Sequence, residues 1–218
     1  MEIVNPIKDI AKIEMMKEEL GKCTNSMWAE KRFFEKKRNR AIFCVGINSA
    51  LRVSDIRQLN LKDVFNPDLS FINVTLKEQK TGKRKAFPLT ETLKKELRSY
   101  AECYFYTFFR ITINNINEDD KAKVAEIIET YPLFPSERKG YLSRVQIYRI
   151  LNDSAEKVGI GQIGTHTMRK TFAYWFYMRT KDVALLQVLL NHSSERETLR
   201  YIGLTQDEID KAYQNFGL

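Results

Sequence analysis

Residues 71–89 constrain the fold most. F-I-N-V-T-L-K at 71–77 alternates apolar and polar residues, and A-F-P-L follows at 86–89. Alternation of this kind marks half-buried strands. Between the runs lies E-Q-K-T-G-K-R-K, whose Thr81-Gly82 step suits a tight turn. Two strands so joined cannot hold a core alone. Everywhere else the apolar residues recur at helical spacing. The expected class is α+β, mainly α-helical, with one small antiparallel β-hairpin sheet packed on helices. With 218 residues the chain can bury a large core, and 1–218 reads as a single domain.

The helices have readable ends. Asn5-Pro6 opens the first, with Ile10, Ile13, Met16 and Leu20 as its stripe and Gly21 as its stop. The basic run K-R-F-F-E-K-K-R-N-R at 31–40 continues into A-I-F-C-V-G-I at 41–47, predicting one helix, wet at its start and buried at its end. Asn48 or Ser49 starts a short helix on which Arg52 and Asp55 share a face as a local ion pair. Thr90 caps a helix with the stripe Leu93, Leu97, Tyr100, Tyr104 and Phe108, whose aromatic spacing fits core packing. A shorter helix before Thr130 turns Val124, Ile127 and Ile128 inward. Ser143 and Gln146 form a capping box before a helix that turns Val145, Tyr148, Leu151 and Ala155 inward and stops at Gly159.

The closing stretch carries the chemistry. A helix over 167–179 is expected to bury Phe172, Trp175 and Phe176. Asp182 caps the next helix, Asn191 closes it, and Ser194 with Glu197 opens a short helix holding Tyr201. Thr205 and Glu208 cap a final amphipathic helix over 206–216. Both histidines of the chain lie here, His166 three residues before Arg169 and His192 nine before Tyr201.

Composition narrows the partner. Net charge is +8, an argument for a polyanion. Five basic residues fall in 77–85, at and beside the hairpin tip. Cys23, Cys44 and Cys103 form no C-x-x-C pair and read as thiols of a reducing cytoplasm. The sequence shows neither a signal pattern nor a run of about 18 apolar residues. A metal is disfavoured, because Arg169 and Lys80 would oppose a cation and no carboxylate has ligand spacing. Two arginines, a lysine and two histidines instead suit a phosphodiester, whose non-bridging oxygens arginine forks grip bidentately. A tyrosine beside such a clamp is a sensible nucleophile, since its aryl phosphodiester conserves bond energy.

Four segments in order resemble the phage integrase family, the tyrosine recombinases. A-L-R-V-S-D-I at 50–56 is similar to the first arginine motif, and L-K-E-Q-K-T-G-K-R-K-A-F-P-L at 76–89 to the hairpin lysine motif. T-H-T-M-R-K-T-F-A at 165–173 resembles the H-x-x-R box, and L-L-N-H-S-S-E-R-E-T-L-R-Y at 189–201 the closing histidine-to-tyrosine box. The resemblance implies the family's catalytic-domain fold and a site-specific DNA recombinase working through a 3′-phosphotyrosyl intermediate. It implies Tyr201 as nucleophile, Arg52 and Arg169 as phosphate clamp, Lys80 as proton donor to the leaving 5′-oxygen with Lys83 as rival, and His166 and His192 on the phosphate or the tyrosine proton. Asp55 would hold Arg52. Lys83, Arg84, Lys85, Arg138 and Lys139 are expected on DNA. No cofactor or metal is implied. Expected partners are double-stranded DNA and three further copies of the chain on it, from a cytoplasmic, nucleoid-associated monomer. The family's N-terminal core-binding and arm-binding domains are not legible, and residues 205–218 are expected to dock on a neighbouring protomer. An accessory DNA-binding protein derived from an integrase and a type IB topoisomerase-like enzyme are the alternatives.

Overall fold

The computed structural model describes residues 5–22, 29–137, 140–202 and 214. Among these, nine α-helices surround one two-stranded sheet. The predicted final helix over 206–216, Arg138 and Lys139 lie outside the described residues, apart from Gln214.

Helix α1 (Ile10–Gly21) begins later than Asn5-Pro6 suggests. Asp9 is the N-cap, its carboxylate accepting from the Ala11 N–H, and it supersedes Asn5 because it meets the first helical turn directly. Helix α2 (Ala29–Asn48) is the predicted wet-to-buried helix, and Ala41 to Val45 are all buried. Its basic run is not uniformly solvated. Arg38 is buried and donates to the Pro135 carbonyl at 2.8 Å, and Arg40 pairs with Glu96 at 2.5 Å. Those two cations join elements and are not free for a polyanion.

Helix α3 (Val53–Ile56) follows, with Arg52 as its extended N-cap residue. After a 3₁₀ turn at Leu61–Asp63, strands β1 (Val74–Lys77) and β2 (Arg84–Phe87) pair antiparallel, Val74 opposite Phe87 and Leu76 opposite Lys85. The first strand is shorter than the 71–77 run suggests, and the second begins two residues before the 86–89 run and ends at Phe87, because Pro88 has no N–H to give the ladder. The turn between them uses Gly82 at φ +66°, a conformation glycine adopts without a Cβ penalty.

Helix α4 (Glu91–Phe109) is capped by Thr90 as expected. Tyr100 and Tyr104 are buried and donate to the carbonyls of Leu133 and Pro132, so the aromatic cluster is core. Phe108 is 37% exposed, while Phe105, not in the predicted stripe, is buried. Helix α5 (Glu118–Thr130) buries Val124, Ile127 and Ile128 as expected. Helix α6 (Arg144–Lys157) has the predicted capping box, yet its buried face is Ile147, Leu151, Ser154 and Ala155. Val145 is 55% exposed, because the inward stripe is turned towards Ile147.

The last three described helices are α7 (Thr167–Thr180), α8 (Val183–Leu190) and α9 (Glu195–Ile202). Helix α7 buries Met168, Arg169, Thr171, Ala173 and Tyr174, whereas the predicted Phe172, Trp175 and Phe176 are only partly covered. These helices share a small core of Ala173, Tyr174, Leu186, Leu190 and Ile202, to which the front of the chain contributes Ala50. The main core holds α1 to α6 and reaches Met168. Helices α2 and α7 meet at Gly46, where an added Cβ would lie 2.4 Å from the Met168 sulfur and 2.9 Å from its Cβ. That close approach sets α7, and Arg169 with it, against the main body. No described helix is long and apolar enough to cross a membrane.

Candidate active site

The site forms where Ala50, the hairpin and the α7–α9 unit meet. Ala50 adopts φ +54°, a left-handed conformation costing a non-glycine residue about 1–2 kcal/mol. Its carbonyl is thereby offered to two buried cations. Arg169 Nη1 donates to it, and Lys85 Nζ donates at 3.1 Å. Arg169 Nη2 also donates to Leu190 O at 2.6 Å, and Lys85 Nζ to Leu189 O at 2.8 Å. Both cations therefore tie the segment before Arg52 to the C-terminal end of α8. Carbonyls at a helix C-terminus suit cations, since they lack intrahelical partners and carry the negative end of the dipole.

Lys85 was expected on DNA with its neighbours and belongs inside instead. It is 8% exposed, because strand alternation turns it inward beside Leu76 while Lys83 and Arg84 stay exposed. Burial and the adjacent Arg169 charge lower its pKa to about 8. The same alternation turns Glu78 inward on the face of Val74 and Leu76. Its side chain is fully buried. Glu78 Oε2 lies 2.9 Å from Arg52 Nη1 and accepts from Thr81 Oγ1 at 2.7 Å, and Oε1 lies 3.7 Å from Arg169 Nη1. The Arg52 contact is an ion pair whose N–H is not aimed at the oxygen, leaving Nη1 without a hydrogen bond. Burial raises the Glu78 carboxyl, but Thr81, Arg52 and Asn191 outweigh it and hold its pKa below the usual value.

Asp55 takes a different place from the one expected. Arg52 is extended, so the two do not share a helical face, and the carboxylate partner of Arg52 is Glu78. Asp55 Oδ1 accepts from the Gln79 N–H at 3.0 Å, so Asp55 holds the hairpin. Lys80 is exposed at the hairpin turn, and its charge is felt by His166.

His166 is the N-cap residue of α7 and is exposed, with no side-chain capping bond. Desolvation of its packed side, then the charges of Arg169, Arg144, Arg52 and Lys80, lower its pKa. His192 follows the left-handed Asn191 that ends α8, and its Nδ1 lies 3.1 Å from Thr198 Oγ1 on α9. Burial, then Arg169 and Arg52, lower its pKa against the opposing charge of Glu197. Both shifts favour the neutral imidazole over the imidazolium. Tyr201 on α9 packs against His192, with ring centroids 5.0 Å apart at 77°, and Lys170 Nζ lies 5.2 Å from its ring centre. Its hydroxyl is buried without a well-formed hydrogen bond. Burial raises the phenol pKa, and the nearby Arg169 and Arg52 guanidinium groups pull against that rise.

Arg52, Arg169, His192 and Tyr201 are thus brought into one electrostatic neighbourhood, with His166 and Lys80 at its rim. Glu78, Thr198 and the inward role of Lys85 are absent from the motif reading. Strand alternation signals Glu78 and Lys85, since it turns a carboxylate and an ammonium inward on neighbouring strands. Four buried polar atoms without hydrogen-bond partners cluster here: Arg52 Nη1, Asp55 Oδ2, Glu78 Oε1 and Tyr201 Oη. A cavity of about 450 Å³, lined in part by Ile10, Ile13, Trp175 and Phe176, lies elsewhere and contains none of the six candidate residues. Among the described residues no group of three His, Cys, Asp or Glu side chains could hold a metal ion.

One buried and one partly buried arginine, two histidines and a tyrosine on a mainly helical frame with one hairpin match a recombinase-type catalytic domain. The chain belongs to the phage integrase family, whose model matches residues 22–208. It is 39% identical to the probable integrase/recombinase YoeC of Bacillus subtilis (strain 168) over 218 residues, which is 100% of this chain and 99% of that protein. It is 28% identical over 182 residues to the tyrosine recombinase XerC of Thermodesulfovibrio yellowstonii, 83% of this chain and 54% of that one. The chain therefore spans the whole of the first relative and about half of the second. Among solved structures, the XerH site-specific recombinase bound to palindromic difH substrate, a post-cleavage complex, superposes with a TM-score of 0.66 at 18% identity, covering 99% of this chain and 54% of that one. That likeness establishes the fold.

Proposed function

We propose that this enzyme cleaves and rejoins double-stranded DNA through a 3′-phosphotyrosyl intermediate on Tyr201. The observation that carries this is the buried Tyr201 hydroxyl, beside the Arg169 guanidinium without a well-formed hydrogen bond and packed on His192. A phenol so placed lies beside the same guanidinium that would grip an entering phosphodiester.

In this reading Arg52 and Arg169 bind the non-bridging oxygens and stabilise the charge that builds on them in the transition state. Neutral His166 accepts the phenolic proton as Tyr201 Oη bonds to phosphorus. The bond from phosphorus to the 5′-oxygen breaks, and the leaving oxygen takes a proton from Lys80, with Lys83 on the same turn as the rival donor. His192 donates to a non-bridging oxygen, its ring oriented by Thr198. Reversal with a 5′-hydroxyl from another strand rejoins the DNA, so bond energy is conserved and no cofactor is consumed. Exposed Lys83 and Arg84 contact the backbone of the duplex. Four protomers on paired sites would complete an exchange.

A pool of nicked suicide duplexes of randomised sequence tests the reading. The native protein should form an SDS-resistant adduct that chelators do not diminish. An adduct that needs a divalent metal contradicts the proposal. Duplex binding with no adduct on any sequence supports an accessory DNA-binding protein instead.

A further inference from the structure

We propose that Glu78 is a positioning residue of the arginine clamp, and that with Asp55 it locks the clamp to the hairpin carrying Lys80. This rests on the proposed cleavage reaction and assigns a further residue to it.

The geometry is reciprocal. An acid from the hairpin, Glu78, reaches the arginines, with Oε2 2.9 Å from Arg52 and Oε1 3.7 Å from Arg169. An acid from α3, Asp55, reaches back and accepts the Gln79 N–H at 3.0 Å. The hairpin turn closes on Glu78 itself. Gly82 N–H donates to Glu78 O at 2.8 Å, Glu78 N–H to Lys83 O at 2.9 Å, and Thr81 Oγ1 to the carboxylate at 2.7 Å. Lys80 lies inside that closed turn, so its place relative to Arg52 is fixed through Glu78.

A carboxylate across two arginines could also compete with phosphate. Its burial decides against this. The Glu78 side chain has no exposed surface, whereas that of Arg52 keeps 14%. The carboxylate therefore lies on the protein side of Arg52, and DNA approaches the solvent side. Charge agrees with this. Arg52, Arg169 and Lys85 face Glu78 and Asp55, three cations against two carboxylates, and the surplus matches one phosphodiester. Without Glu78, Arg52 would lose its buried counter-charge and be free to turn away from Arg169, which the Ala50 and Leu190 carbonyls still hold.

The test separates binding from chemistry in the full chain. Glu78→Gln should lower the rate of adduct formation at saturating DNA by about 10–100-fold, the scale of losing sub-ångström alignment, with little change in duplex affinity. Glu78→Asp should restore part of the rate. Thr81→Val, at an exposed turn position, should slow adduct formation in the same direction and keeps the buried charges if Glu78→Gln misfolds. A rate in Glu78→Gln equal to or above the wild type overturns the proposal, as does a loss that tracks melting temperature without rescue by aspartate. If the wild type forms no adduct, the cleavage reading fails first. Orthovanadate titrated by thermal shift then still tests the clamp: weaker binding by Glu78→Gln is expected, and equal or tighter binding contradicts the positioning role.

Discussion

Lys85 shows how one side chain's environment changes its role. Its place in the basic hairpin run groups it with Lys83 and Arg84 as a DNA contact, yet it is buried on two backbone carbonyls. Lys83→Ala and Arg84→Ala should each weaken duplex binding and reduce the salt slope by about one, as phosphate contacts do. Lys85→Met should leave that slope unchanged. Its signature lies in stability instead. A lysine lowered to about 8 on folding binds its proton less tightly in the native state. Between about pH 8 and the ordinary lysine value near 10.4, the unfolded chain holds the extra proton, so stability gains with rising pH. Denaturant titrations should show that gain in the wild type relative to Lys85→Met, and parallel curves would contradict it. His166 gives a second pH test. Its lowered pKa keeps the imidazole neutral through pH 7. The adduct rate should be flat across neutrality and fall only below the ordinary histidine value of about 6.5. A rate that declines above pH 7 as a histidine deprotonates would contradict a neutral base.

Elements were legible where capping residues and periodicity agreed. Thr90, Ser143 and Asp182 each cap the helix their position predicts. Faces were less legible. Helix α7 turns Arg169 inward with Met168 and leaves Phe172 and Phe176 partly covered, because the site and the close approach of α2 set its rotation. Likewise Arg52 and Asp55 look like a helical i,i+3 pair, but the helix starts one residue after Arg52, and the arginine's partner comes from the hairpin. Such long-range partners carry no local signal beyond the strand alternation that turns Glu78 inward. The α2–α7 contact can be tested directly. Gly46→Ala gains helix propensity of up to about 1 kcal/mol but drives a methyl into Met168 side-chain atoms, including its Cβ, which cannot swing away. Overpacking costs about 1–3 kcal/mol, so the melting temperature should fall, and adduct formation should slow because Arg169 adjoins Met168. An unchanged melting temperature would show that α7 shifts freely.

At the scale of the whole molecule, the α7–α9 unit has its own small core and meets the main body through Met168, Ala50 and the buried cations. The proposed nucleophile and one arginine stand on this unit, and the other arginine and the hairpin lysine on the body. The four motif boxes made the candidate set readable in order, whereas the packing that joins the two units through Ala50 and Glu78 is a property of the fold. A net charge of +8 places the assembled site on a cationic molecule, and duplex affinity should fall steeply with salt. The most direct test of the central claim is peptide mapping of the covalent complex after nuclease and protease digestion. The account predicts a nucleotide remnant on the Tyr201 peptide, joined through its 3′-phosphate, and no adduct from Tyr201→Phe. A remnant on another residue, a 5′-linkage, or equal adduct from Tyr201→Phe would contradict it.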